Sequence, residues 1–285
     1  MLFHGRKIVI VGLGLIGGSY AMALHRQGYT VGAVDIDPAA IAYALKHNII
    51  DEGAVSGTDL LKDAGLIVSG LYPTAVADFI RENQALFQPG CIVTDVSGVK
   101  RAVLYEVQAM LRPDVEFIGA HPMAGREVGG VQNSDDRIFQ DANFIVTPTD
   151  KNRHETIELI KSLGKTLGFS RISELSPEEH DRMVGYLSQL THVIAVSLMN
   201  ANGNENLVAY TGDSFRDLTR IAKINDKLWT ELFLLNRDVL VPEIDSFVKA
   251  LLDMRQKIVE EDREGLKRLF IQSTKRRKLF DKPKQ

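Results

Sequence analysis

Residues 119–127 read GAHPMAGRE, and they set a histidine, His121, where the apolar run VEFIGA stops and a glycine-bearing loop begins. Histidine is not among the residue types that turns prefer. Its ordinary pKa, about 6.5, suits it to moving a proton near neutral pH. A second chemical pattern lies near the N-terminus. Gly12, Gly14 and Gly17 of GLGLIGGS form G-x-G-x-x-G, and an acidic residue, Asp35, stands 18 residues beyond Gly17.

Context gives the glycine pattern its meaning, because it follows an apolar strand, KIVIVG, opens a helix, and precedes a second strand, TVGAVD, that ends on Asp35. This is the arrangement of a dinucleotide-binding turn. Gly12 would make the tight turn, Gly14 would let backbone N–H groups approach a pyrophosphate, and Gly17 would allow the helix to pack closely on the strand. Leu15 and Ile16 complete the expected cofactor-binding set at the start of the helix, whose positive dipole end suits phosphate. Asp35 would accept hydrogen bonds from ribose hydroxyls and repel a 2′-phosphate, so NAD is expected rather than NADP. Ligands of open parallel sheets bind at the carboxyl ends of the strands. His121 closes its strand on that same edge, which puts it near the nicotinamide.

The elements that must position these residues are also legible. Apolar runs KIVIVG, TVGAVD, LIVSGL, CIVTDV, VEFIGA and NFIVTP alternate with helix-like stretches at Pro38–His47, Thr74–Phe87, Lys100–Leu111 and Arg153–Leu167. Continuous Val/Ile/Leu runs separated by helices predict a doubly wound, parallel α/β sheet of the Rossmann type over residues 1–172. At SPEEHD the pattern changes: Ser176 is the expected N-cap, Pro177 the first helical residue and Glu179 the third. The spacing from there on is helical, as in RMVGYLSQLTHVIAVSLM and KLWTELFLLNRDVL. Residues 173–285 are therefore expected to form an all-α domain. The apolar stretch Leu187–Met199 must pack within that domain or against a second subunit.

Composition bounds the partners. The 285 residues carry a formal charge of −3 and 45% hydrophobic residues, so no global field favours nucleic acid or an anionic membrane. A small-molecule ligand is expected. The only cysteine, Cys91 in GCIVTDV, excludes an intramolecular disulfide, suits a reducing compartment such as the cytoplasm, and reads as a buried small hydrophobe. The N-terminal stretch mimics a secretory signal, with basic residues, an apolar run and an Ala21–Ala23 triplet, but the glycines from Gly12 to Gly18 disfavour the required helix. No stretch approaches a membrane span, and no metal-ligand spacing is present. The basic tail KRRKLFDKPK reads as a solvated helix end.

VGLGLIGGS, TDVSGVK at 94–100, GAHPMAGRE, EEHDRM and RDLTRIAKINDKLW at 216–229 occur in that order, and together they resemble the prephenate dehydrogenase family of tyrosine biosynthesis. The resemblance spans nearly the whole chain. It implies a Rossmann-like domain followed by a helical dimerisation domain, a homodimer, and NAD-dependent oxidative decarboxylation of prephenate to 4-hydroxyphenylpyruvate and CO2. His121 corresponds to the family's catalytic histidine, hydrogen-bonded to the substrate's ring hydroxyl, and Arg220 in LTRIA to the arginine that binds a substrate carboxylate. Glu127, His192 and Trp229 correspond to further substrate-site residues. The chain departs from the family in one place: where relatives have DVGSVK with a serine on the catalytic histidine, it has DVSGVK, with Gly98 there and Ser97 one position earlier. Ser97 is kept as a catalytic candidate, with a water-oriented His121 as the alternative. The sequence as given leaves no room for an appended regulatory domain or a preceding chorismate mutase segment, so tyrosine control through such a domain is not expected.

Three other readings share these features. Arogenate dehydrogenase differs in the substrate's side-chain amino group, and a hydroxyacid or imine dehydrogenase shares the two-domain layout. A redox-sensing dinucleotide-binding module without catalysis would leave His121 and Arg220 unexplained.

Overall fold

A computed structural model describes residues 5–56 and 59–281. The first four residues of the stretch weighed as a targeting signal, and Lys282 to Lys284 of the basic tail, lie outside the described residues. By its internal contacts the chain divides into Met1–Arg237 and Asp238–Gln285.

The first unit is built on an eight-stranded sheet of order β3-β2-β1-β4-β5-β6-β7-β8. The six expected strands are present: β1 (Lys7–Val11), β2 (Val31–Val34), β4 (Ala64–Ser69), β5 (Ile92–Asp95), β6 (Glu116–Pro122) and β7 (Asn143–Thr147). Two short edge strands, β3 (Glu52–Ala54) and β8 (Arg171–Glu174), complete it. β1 to β6 are parallel to their neighbours, but β7 runs antiparallel to β6. The sheet is thus mostly parallel, as the doubly wound reading expects, with the β6–β7 pairing as the exception. A parallel return needs a crossover helix, and between Pro122 and Asn143 the chain makes only two short 3₁₀ turns.

The strands are apolar throughout because both faces are covered. Along β1, Ile8 and Ile10 face one core with α1 (Leu15–Arg26), α2 (Pro38–Lys46) and α5 (His154–Thr166). Val9 and Val11 face the other, with α3 (Pro73–Asn83) and α4 (Arg101–Met110). Gly17 and Gly18 lie inside α1. Cys91 is buried in the second core as an unpaired thiol, and burial pushes its pKa up to about 12.

From Leu175 onward the described residues hold helices and turns only. α6 (Pro177–Val184) begins with the expected capping box: Ser176 Oγ accepts from Glu179 N–H at 3.2 Å while Glu179 Oε2 accepts from Ser176 N–H at 3.1 Å. One wide π-helical turn, Gly185–Gln189, joins it to α7 (Leu190–Asn200), and α8 (Asp213–Thr219) and α9 (Asp226–Leu235) follow. From Asp238 on the second unit carries α10 (Arg237–Val259) and α11 (Arg263–Arg277), with the described part of the basic tail exposed from the last turn of α11 onward. No helix among the described residues is long and apolar enough to cross a membrane.

Candidate active site

β1 and β4 are neighbours although β2 and β3 lie between them in sequence, so the winding reverses there and opens a crevice at their carboxyl ends. The glycine turn lines it. Gly12 has a φ of +91°, which a side chain disfavours. At Gly17 a Cβ would stand 2.0 Å from the Gly12 carbonyl oxygen, so α1 can leave the strand at this angle only without a side chain there. Gly14, the N-cap of α1, has nothing within 4 Å of where its Cβ would be. Open space thus meets the first turn of α1, with Leu15 and Ile16, where backbone N–H groups lack intrahelical partners. Asp35 ends β2 beside this turn and accepts from Leu13 N–H at 2.6 Å and Asp37 N–H at 2.8 Å. A carboxylate has about four acceptor sites, so capacity remains for ribose hydroxyls. These residues fit a dinucleotide.

His121 is held within a strand rather than on a loop. β6 pairs with β5 only through Glu116–Ile118, then overshoots it, and the overhang from Gly119 to Pro122 is paired by β7, with His121 opposite Ile145. The antiparallel turn of the chain therefore has a use: it braces the residue that projects past the parallel edge.

Behind His121 lies a chain of hydrogen bonds. His121 Nδ1 is 2.8 Å from His180 Nε2, and His180 Nδ1 is 2.8 Å from Asp181 Oδ1. The Asp181 carboxylate also accepts from Lys100 N–H at 2.8 Å and from Arg101 N–H and Nε at 3.0 and 3.1 Å. Asn236 ties the Asp181 carbonyl to Gln189, at 3.0 and 2.8 Å. His180, Asp181, Gln189 and Asn236 are all buried.

A second buried charge pair lies alongside. Lys100 donates to Asp95 at 2.5 Å and to the Ala120 carbonyl at 2.7 Å, with both side chains inaccessible to solvent. Burial lowers the Lys100 pKa while Asp95 opposes the shift. Burial, then the neighbouring His180 and Lys100, hold His121 well below its ordinary value, and burial likewise lowers His180 against the pull of Asp181. For Asp181, burial acts upward, but hydrogen bonds from His180 and from the Lys100 and Arg101 backbone outweigh it, leaving the carboxyl below its usual range.

Ser97 does not reach the histidine. Its hydroxyl donates to Asp95, and the Asp95 carboxylate also accepts from Ser97 N–H at 3.2 Å. The expectation that Ser97 or a water orients His121 is corrected on one point: His180 is the partner of its Nδ1. A Cβ at Gly98 would stand 3.8 Å from His121 Nε2 and 3.3 Å from Leu232 Cδ2. Nε2 thus faces the space that a side chain at position 98 would enter.

The expected substrate-site residues gather nearby. Arg220 is ion-paired with Glu127, and His192 stacks on Trp229 with centroids 3.6 Å apart and a hydrogen bond of 2.9 Å from its Nδ1 to the Ser188 carbonyl. Burial lowers the His192 pKa, while Glu127 and Arg220 act on it in opposite senses. α9 links this group to His121, since Leu232, one turn beyond Trp229, packs on Gly98. The same helix is tied to the β4–α3 connection: Glu231 accepts from Thr74 N–H at 3.1 Å and Asn225 donates to Tyr72 Oη at 3.0 Å.

Sequence reasoning did not single out His180, Asp181, Lys100 or Asp95. The capping box at Ser176 fixes where α6 begins but not which of its faces is buried, so no local signal set the first two apart. A lysine that is wholly buried has no local signature either.

Comparison with known proteins agrees with this geometry. The prephenate dehydrogenase nucleotide-binding domain matches residues 20–172 and the prephenate dehydrogenase dimerization domain matches residues 176–272. The prephenate dehydrogenase of Bacillus subtilis is 31% identical over 274 residues, 92% of this chain and 73% of that protein. Among solved structures, prephenate dehydrogenase from A. aeolicus in complex with hydroxyphenyl propionate and NAD+ is 30% identical with a TM-score of 0.89, covering 97% of this chain and 98% of that one. Synechocystis arogenate dehydrogenase is 26% identical with a TM-score of 0.82, covering 96% and 100%. A glycine cradle at the sheet's switch point, a braced histidine beside it and family matches over both parts of the chain lead to one conclusion: this protein belongs to the prephenate dehydrogenase family.

Proposed function

We propose that the chain catalyses NAD-dependent oxidative decarboxylation of prephenate to 4-hydroxyphenylpyruvate and CO2, with His121 accepting the proton of the ring hydroxyl. The observation that carries this reading is the position of His121, braced on the carboxyl edge of the sheet with Nε2 toward the backbone of Gly98. NAD bound on the Gly12–Gly17 turn supplies the hydride acceptor.

Prephenate bears its hydroxyl on one ring carbon and a carboxylate on the quaternary carbon across the ring. As the C–H bond at the hydroxyl-bearing carbon breaks, positive charge develops on the oxygen, and His121 Nε2 stabilises it by drawing in the hydroxyl proton. The bond to the ring carboxylate then breaks and its electron pair completes the aromatic ring. CO2 leaves, and the proton shared with His121 returns to the phenolic oxygen. Arg220 binds a substrate carboxylate through charge-assisted hydrogen bonds, with Glu127, His192 and Trp229 as the surrounding wall. Ser97 acts on the loop, where its hydroxyl steadies Asp95.

The same reading includes a homodimer formed through the helical domain that begins at residue 173. Supporting it, Leu198, Met199, Val208 and Tyr210 are exposed in the first unit and Leu251, Leu252, Phe270 and Ile271 in the second. The unpaired, buried Cys91 suits a reducing compartment such as the cytoplasm.

Glu127 gives arogenate a foothold, because that acid carries an ammonium where prephenate carries a keto oxygen, and a carboxylate is the acceptor an ammonium needs. Prephenate is favoured because Glu127 is already engaged by Arg220. Formation of NADH from each acid, with NAD and with NADP, is the test. Prephenate with NAD should give the highest kcat/KM, and a wild-type preference for arogenate overturns the substrate assignment. Arg220→Gln should raise the prephenate KM about tenfold to a hundredfold, the range of about 1.5 to 3 kcal/mol for hydrogen bonds to charged groups. An unchanged KM removes Arg220 from the site.

A further inference from the structure

We propose that His180 and Asp181 are positioning residues that fix the tautomer of His121, so that its Nε2 is held as a lone-pair acceptor toward the substrate. The inference deepens the reading above and rests on it for the identity of the reaction, though not for the tautomer itself.

Each step follows from what the groups are able to donate. An ionised carboxylate only accepts hydrogen bonds. The 2.8 Å contact of Asp181 Oδ1 with His180 Nδ1 therefore puts the hydrogen on His180 Nδ1. A neutral imidazole carries one N–H, which leaves His180 Nε2 as an acceptor. Its 2.8 Å contact with His121 Nδ1 then requires the hydrogen of His121 to be on Nδ1. His121 Nε2, on the side of the ring toward Gly98, is left with its lone pair. The opposite assignment needs either a protonated Asp181 or a cationic His180. Asp181 is ionised by the donors around it, Lys100 N–H, Arg101 N–H and Arg101 Nε. A cationic His180 would be a buried charge near the buried ammonium of Lys100.

Charged and titratable groups face this pair from several elements: Asp95 at the end of β5, Lys100 and Arg101 at the start of α4, and Asp181 on α6 itself. Lys100 and Asp95 form a buried ion pair with each other. The two histidines therefore titrate as a coupled pair. Protonating His180 would make both of its nitrogens donors, turn His121 to the Nε2–H form, and remove the acceptor from the reaction.

The arrangement explains how the chain manages with glycine at position 98. Orientation of His121 comes from Nδ1 on the far side of the ring, so no hydroxyl is needed at Nε2.

The test has a readout that needs neither substrate nor cofactor. Nitrogen-15 NMR of the histidine-labelled protein at pH 7.5 should show His121 and His180 both as Nδ1–H tautomers. Nε2–H on His121 overturns the proposal whatever the enzyme's activity. Asp181→Asn can present an amide N–H to His180 and reverse both tautomers. It should lower kcat by roughly 10³-fold, as loss of an orienting carboxylate does in other histidine relays, with KM and NAD affinity within about threefold. His180→Gln keeps an acceptor opposite His121 Nδ1. It should retain the His121 Nδ1–H tautomer in the nitrogen-15 spectrum and keep far more activity than Asp181→Asn. Folding of each variant is checked by thermal denaturation, and the wild-type spectrum decides the matter if either fails to fold. Asp181→Asn with wild-type kcat and an unmoved tautomer, or His180→Gln that costs as much activity as Asp181→Asn while His121 stays Nδ1–H, overturns the proposal. If wild type turns over neither prephenate nor arogenate but shows the Nδ1–H tautomers, the functional reading fails and the relay stands.

Discussion

His121 meets its surroundings through two nitrogens with different partners, and its ionisation follows from them. Burial, His180 and Lys100 all disfavour the imidazolium. The unfolded-state pKa is about 6.5, so the acid limb of activity should lie below that value rather than between pH 6 and 7, as an unperturbed histidine would suggest. Stability carries the same sign: the contribution from neutral His121 is complete above pH 6.5 and is lost as pH falls toward the lower folded-state value. A pH–kcat/KM profile on prephenate checks this, and an acid limb at or above 6.5 contradicts it. His121→Asn should lower kcat by roughly 10²- to 10⁴-fold, the usual worth of a positioned proton acceptor, with NAD affinity barely changed in a direct titration. Unaltered kcat in that variant would give His121 a structural role only.

At this scale the sequence was informative where a residue type has a single purpose. Gly12 and Gly17 announced the cradle because a positive φ at one and a crowded Cβ position at the other exclude side chains, with Gly14 and Asp35 completing the pattern, and His121 stood out because turns do not favour histidine. His180 and Asp181 did not stand out, since EEHD at a helix start also describes an ordinary polar first turn.

Elements set where those residues can act. The connection from β5 into α4 carries both Asp95 and Lys100, and their ion pair is wholly buried between the sheet and α6. Removing one partner of a buried pair leaves an uncompensated charge. Lys100→Met should therefore destabilise the protein by about 3 to 5 kcal/mol in urea or guanidinium unfolding, whereas exposed lysines such as Lys62 should cost little when replaced. A loss under 1 kcal/mol would mean that Asp95 finds another donor. Six of the eight strands and the helices between them were legible from apolar runs and helical spacing. β3 and β8 were not, because EGA and RISE are short edge strands with charged or small residues, the usual composition of a protected edge. The reversal at β7 could have been read from the absence of any helix-like stretch between VEFIGA and NFIVTP. Arg101, Gln189 and Asn236 converge on Asp181 from distant parts of the chain, and contacts of that kind leave no local pattern.

Over the whole molecule, the described residues of the cradle, the relay and the Arg220–Glu127–His192–Trp229 group all fall within Met1–Arg237. The second unit contributes exposed apolar side chains such as Leu251, Leu252 and Ile258. Exposed apolar surface on this scale marks an interaction face. Light scattering should give the mass of a dimer, near twice the 31.6 kDa of one chain. Leu251→Glu together with Leu252→Glu should shift the mass toward the monomer, and a wild-type monomer at micromolar concentration contradicts the assembly. The change from alternating strands to helices near residue 172 was visible in the sequence, whereas the contact division at Arg237 was not, because helical spacing alone does not tell which helices remain with the sheet.

The wide turn at Gly185–Gln189 ties these groups together through register. Each residue of a helix adds about 100° of rotation and about 1.5 Å of rise. The wide turn holds one residue more than a regular turn over the same rotation, so deleting one residue here would convert it to regular helix and leave α7 nearly in phase with α6. Adding a residue would instead turn α7 by roughly that angle relative to α6: His180 would keep its place under His121, but His192 would swing away from Trp229. This short stretch should therefore accept a one-residue deletion yet reject an insertion, whereas the exposed segment at Ala201–Asn204 should accept an added residue with little effect on either group.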